Sequence, residues 1–232
     1  MEKIYKFQFH GARAEVVVPE NANGEWVWKT EFFHAFDNAE QALIGEGYTR
    51  VYYSVSNRYG SYKAIRLMRE FYRYAVKEFA LKEKAHLFGF SRGGLYAFNY
   101  TLYYPESVAS VYLDAPVLDM KSWPPKDSEE QEQLFAEYTL NKDTLPLFDD
   151  NPIDNLKEYF ELGIPTLVVA GDADELVPLH ENAGILLSFC RDNGITVESH
   201  IKNGCGHHPH SLEDVTAIVD FVKRNSQANA AE

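Results

Sequence analysis

Cysteine is nearly absent: Cys190 and Cys205 are the only two in 232 residues, and they stand in no CxxC or metal-ligand spacing. That excludes a disulfide-stapled scaffold, and the pair reads as ordinary thiols in a reducing compartment. Basic residues are also short, with 22 Lys and Arg against 35 Asp and Glu, a formal charge of −13 spread without a long block of one sign. Such a chain repels polyphosphate and anionic lipid, so neither nucleic acid nor a membrane is an expected partner. No apolar run approaches the roughly 18 residues a spanning helix needs. The opening "MEKIYKFQFHGARAEVVVP" alternates charged with apolar side chains and holds no apolar signal core. A cytoplasmic chain is the expectation. What is plentiful is apolar material, 45% hydrophobic and 14% aromatic, enough to bury one sizeable core, so a single domain over residues 1–232 is predicted.

The order of elements follows from periodicity. Ile4–Phe9 and Ala14–Val18 read as a hairpin turning at Gly11, and Trp26–Trp28 as a short strand. A helix follows in "DNAEQALIGEG", with Asp37 and Glu40 spaced as a capping box and Gly45 as its stop. Arg50–Val55 is a strand. From Ser61 to about Leu81, Ile65, Met68, Tyr72, Val76 and Phe79 recur at helical spacing. "HLFGF" is a strand, Arg92–Tyr104 a helix stopped by Pro105, and "VASVYLDAP" a strand. Thr166–Asp172 is a strand, Leu179–Arg191 a helix, "TVESHIK" a strand, and a last helix opens at Ser211. This alternation predicts an α/β fold with a mostly parallel central sheet flanked by helices on both faces. Aromatic stripes such as Phe71, Tyr72, Phe79 and Tyr96, Phe98, Tyr100 are expected in its core.

The alternation lapses between about residues 117 and 163, in an acidic, proline-bearing stretch predicted to be an inserted lid or cap, because long connections in compact domains are usually functional. The tail "NSQANAAE" is expected to fray.

Gly89, Ser91 and Gly93 form GxSxG where a predicted strand turns directly into a predicted helix. Glycines there permit close backbone packing, while the turn projects the serine hydroxyl from the carboxyl edge of the sheet. The N–H of Arg92 is then aimed where an oxyanion would form. A serine hydroxyl is a poor nucleophile unless a base activates it, so a histidine and an orienting carboxylate are required further along. "AGDADELVP" supplies Asp174, with Asp172 as its rival, and "NGCGHHPHSL" supplies His207, with His208 and His210 as rivals. Serine, acid, histidine is the chain order of one known arrangement.

On these residues the chain resembles the α/β-hydrolase superfamily over nearly its whole length, in the manner of a small esterase-like serine hydrolase. The resemblance implies Ser91 as nucleophile, His207 as general base and acid, and Asp174 as the orienting carboxylate. It implies a second oxyanion donor in the loop after the third strand, at Thr30 or Glu31, although the usual HG dipeptide is missing from "WKTEFF". No cofactor is implied. A metal held by His207, His208 and His210 with Asp172 or Asp174 would leave the GxSxG unexplained. Asp119 and Trp123, just past a strand end, and His208 are expected pocket residues. Arg92 is expected to pair with a carboxylate such as Asp114 or Asp119. The substrate expected is a small-molecule carboxylic ester, and the acidic, aromatic-rich composition is compatible with a sugar-linked one. An amidase or peptidase, an acyltransferase and a silent binding module are the alternatives, since fold does not fix function.

Overall fold

A computed structural model describes residues 2–228. Its eight strands are β1 (Lys3–Phe9), β2 (Ala12–Val18), β3 (Trp26–Lys29), β4 (Thr49–Tyr53), β5 (Ala85–Phe90), β6 (Val108–Asp114), β7 (Thr166–Gly171) and β8 (Glu198–Lys202). They form one sheet in the order β1-β2-β4-β3-β5-β6-β7-β8. The two pairings of β2 are antiparallel and all others parallel. The helices are α1 (Asn38–Gly45), α2 (Tyr62–Glu78), α3 (Gly93–Tyr103), α4 (Glu129–Tyr138), α5 (Leu156–Glu161), α6 (Ala183–Asp192) and α7 (Thr216–Ala228). None among the described residues is long and apolar enough to cross a membrane.

Strand alternation decides which helix covers which face. Trp26, Trp28, Leu87, Val111, Leu113 and Val168 point into the larger core, beneath α2, α3, α5 and α6. Their neighbours Val27, Phe88, Phe90, Tyr112, Leu167 and Val169 point the other way, onto α1 and α7. The central strands are buried on both faces, which is why they read as continuous apolar runs.

Several local expectations give way to longer-range partners. Asp37 stands at the N-cap of α1 but its side chain caps nothing, because Arg50 takes its carboxylate at 2.8 Å. Glu40 is drawn inward by Lys29 at 2.8 Å, both side chains fully buried. Gly45 is the last residue of α1, and the left-handed conformation falls to Gly47 at φ 91°. Leu179–Glu181 forms a separate 3₁₀ turn, so α6 starts only at Ala183. Ser211 does not open the last helix, which begins at Thr216. Its φ is 69° and its N–H donates to Asp114. The expected fraying does not hold at the start of the tail: Ser226 is buried and bonds His86, Tyr48 and the Val222 carbonyl. The end of the tail, 229–232, lies outside the described residues.

His86, on β5, is fully buried between the hydroxyls of Ser110 and Ser226, each 2.8 Å away. Burial pulls its pKa from 6.5 down to about 3. The unfolded chain therefore takes up this proton well before the folded one, and stability falls as pH drops from 6.5 towards 3. Between pH 6.5 and pH 4 the loss is roughly 3 kcal/mol from this residue. Thermal melts across that range should show a smaller acid loss in His86→Gln than in the parent, and parallel curves would reject this origin.

The stretch between β6 and β7 carries α4 and α5. Leu134, Leu145, Leu156 and Tyr159 from it join the larger core. The hydroxyl of Tyr59 donates to Gln133, that of Tyr138 to the Tyr59 carbonyl, and that of Ser61 to Glu137. These bonds tie α4 to the turn before α2.

Candidate active site

Ser91 is the first of the two residues between β5 and α3, and its φ is 50°, a strained left-handed value for a side-chain-bearing residue. Its neighbours must be small. A Cβ on Gly89 would stand 2.8 Å from Ala97 Cβ, one on Gly93 would stand 2.9 Å from Thr30 Oγ1, and one on Gly94 would stand 2.6 Å from Pro116 Cβ. The doubled glycine after the serine is thus a packing requirement between α3 and the loops after β3 and β6.

Three loops at the carboxyl edge converge on that serine, the edge where ligands bind in open α/β sheets. His207 Nε2 lies 2.9 Å from Ser91 Oγ, and His207 Nδ1 lies 2.7 Å from Asp174 Oδ2. Asp174 is fixed in turn, because its Oδ1 accepts the N–H groups of Leu176 at 2.9 Å and Val177 at 2.8 Å. Its rival Asp172 faces the next loop, accepting from the Gly204 N–H. Gly171 permits this convergence: a Cβ there would stand 2.1 Å from the Cys205 carbonyl oxygen, so a larger residue would push the histidine loop off the acid loop.

Of the backbone donors expected beside this serine, one is free and one is already used. The Arg92 N–H is unspent within the described residues. Thr30 cannot supply the second, because its N–H donates to the Phe88 carbonyl at 3.0 Å and its hydroxyl to the Gly93 carbonyl at 2.8 Å. Pairing of β3 with β5 runs one residue further than the sequence implies, and the first unspent N–H is that of Glu31. Nor does Arg92 pair with Asp114 or Asp119. Its Nε and Nη2 donate to Glu31 Oε2 at 3.2 and 3.0 Å. Burial opposes the charge on Arg92, but the facing Glu31 carboxylate outweighs it and holds the guanidinium above its ordinary pKa. The side chains of the two donor residues therefore clasp each other.

Ser91 and His207 open on a cavity of about 410 Å³ walled by Phe32, Phe36, Trp123, Leu176 and His208, with Arg92, Glu130 and His210 among its polar groups. Trp123 and His208 fall where the sequence suggests. Asp119 does not line this cavity: it accepts the Lys121 N–H, and burial raises its pKa. Phe32 and Phe36 were not legible as pocket residues, although their place after β3 was the available signal. A second cavity of about 420 Å³, lined by Glu25, Leu81 and Lys82 among others, lies at the amino ends of the strands, away from Ser91 and His207.

His207, His208 and His210 each offer a nitrogen within 4.8 Å of the others. Both nitrogens of His207 are already committed, to Asp174 and Ser91, so a metal there would have to displace the serine. His210 Nδ1 is bonded to Asp114 at 2.7 Å, and His208 stacks on Phe36 with ring centroids 5.4 Å apart.

A serine on a strand-to-helix turn after β5, an acid after β7 and a histidine after β8, on a sheet of this order, define a class. The chain has the α/β-hydrolase fold. Its residues 52–146 match the family described as alpha/beta hydrolase fold. Among solved structures, it is similar to one described as a dipeptidyl aminopeptidase IV from Bacteroides ovatus, at 13% identity and TM-score 0.66. That likeness covers 99% of this chain but 35% of the other, so the chain spans about a third of that protein. A Thermus thermophilus protein is similar at 16% identity and TM-score 0.63, over 97% of this chain and 98% of that one. One described as a lipase from Acinetobacter baumannii is similar at 13% identity and TM-score 0.63, over 100% and 93%. No curated protein matches the sequence.

Proposed function

We propose that the chain is a serine hydrolase that cleaves a carboxylic ester of a small polar substrate through a covalent acyl-enzyme. The observation carrying this reading is the unbroken path from Ser91 Oγ through His207 to Asp174, opening on a cavity of substrate size. As the Ser91 oxygen attacks the carbonyl carbon, its proton passes to His207 Nε2, and Asp174 stabilises the resulting imidazolium. The Arg92 and Glu31 N–H groups receive the oxyanion. His207 then returns the proton to the departing alkoxide. Water attacks the acyl group in the same way and frees Ser91. Residues 117–163 act as a cap, since Trp123 and Glu130 give the cavity one wall. No step calls for a metal or cofactor.

Amide cleavage is the second reading, favoured by the likeness to a structure described as a dipeptidyl aminopeptidase. Intact-mass labelling with a fluorophosphonate tests the hydrolase reading. One adduct on the parent protein, lost in Ser91→Ala, supports it, and an unlabelled parent protein rejects it. Matched ester and anilide substrates then separate the two readings.

A further inference from the structure

The mechanism leaves one constellation in the cavity unused. Asp114, the last residue of β6, is fully buried and accepts on both oxygens. His210 Nδ1 bonds Oδ1 at 2.7 Å, the Ser211 N–H bonds Oδ2 at 2.7 Å, and the Tyr112 hydroxyl also donates to Oδ2. The contact to Asp114 is made when Nδ1 carries the ring proton, and in that imidazole tautomer Nε2 is an acceptor. That nitrogen bonds to no described residue, the side chain is 4% exposed, and His210 lines the same cavity as Ser91 and His207. That lone pair is left for a donor entering the cavity. His210 is also braced against Phe36 and Phe90, with ring centroids 5.3 Å away in each case. The Ser91 N–H bonds the Asp114 carbonyl at 2.9 Å, which fixes this dyad relative to the nucleophile. It does not serve as the base for Ser91, whose hydroxyl is bonded to His207.

We propose that His210, oriented by Asp114, is a specificity-determining residue whose Nε2 accepts a hydrogen bond from a hydroxyl group on the substrate. Resting on the serine-hydrolase reading, this narrows the substrate to an ester of a hydroxylated alcohol, a polyol or sugar. Trp123, Phe32 and Phe36 are suited to the apolar faces of such a molecule.

The test compares monoacetylglycerol with propyl acetate, which differ in two hydroxyls, on the parent protein and on His210→Asn. Asparagine places an amide N–H near the old Nδ1, keeping a donor for Asp114, and deletes the acceptor at Nε2. The parent is expected to prefer the hydroxylated ester by about tenfold in kcat/KM, the worth of one well-made hydrogen bond. In His210→Asn that ratio should fall to near one, mainly through KM. A parent without the preference overturns the proposal while leaving the hydrolase reading intact. So does a variant that melts like the parent and loses equally on both esters, because the dyad then only braces the loop. A parent that no fluorophosphonate labels overturns both.

Discussion

Alanine at His207 is expected to lower kcat/KM on any ester the chain cleaves by about four to six orders of magnitude, with Ser91→Ala equal to it and the two losses not additive. The geometry is the reason. His207 is the one imidazole hydrogen-bonded to Ser91 Oγ, at 2.9 Å, and the one bonded to Asp174, at 2.7 Å, so no neighbouring ring substitutes for it. Asp174→Asn should cost about four orders, because an amide cannot hold the imidazole in the right tautomer. His208→Ala, which removes a stacked wall of the cavity, should cost no more than about tenfold and mostly in KM. Steady-state kinetics on the four variants decide this. A His207→Ala protein within a hundredfold of the parent would rule out His207 as the base.

The largest stability loss is expected from Lys29→Met. Lys29 Nζ donates to the Ala35 carbonyl at 2.6 Å and to Glu40 at 2.8 Å, and sits 4.0 Å from the centroid of the Phe90 ring. Burial lowers the Lys29 pKa and raises that of Glu40, and their mutual contact opposes both shifts. Without the lysine, Glu40 keeps only Arg50 at 3.5 Å, and Glu40 Oε2 already has no partner. The cost should be about 3–5 kcal/mol, a fall in Tm on the order of 10 °C for a domain of this size. The double variant Lys29→Met/Glu40→Leu should recover most of it, since no buried charge is stranded while Arg50 keeps Asp37. Thermal unfolding of both proteins checks this, and a double variant as unstable as the single one would refute it. Lys29 and Arg50 also shape the cavity, because they hold the carbonyls of Ala35 and Phe33 in the loop that carries Glu31, Phe32 and Phe36.

Features legible in the sequence are those whose cause lies within a few residues. The central strands were readable because burial on both faces demands continuous apolar runs. Helix α2 was readable because Ser61 caps it through a local bond to Ala64 N–H and its apolar stripe repeats at helical spacing. The turn at Ser91 was readable because close packing forces glycine at 89 and 93. Chain order alone suggested which serine, acid and histidine loops to compare. Tertiary structure decided whatever depends on partners far apart in the chain. Asp37 looked like a cap until Arg50, 13 residues on, claimed it. Thr30 looked like a free donor until β5 used its N–H, Arg92 found Glu31 across 61 residues, and His210 found Asp114 across 96. A buried polar group bonds whichever partner the packed strands bring within about 3 Å. That distance is set by the register of the sheet, which short-range periodicity does not encode.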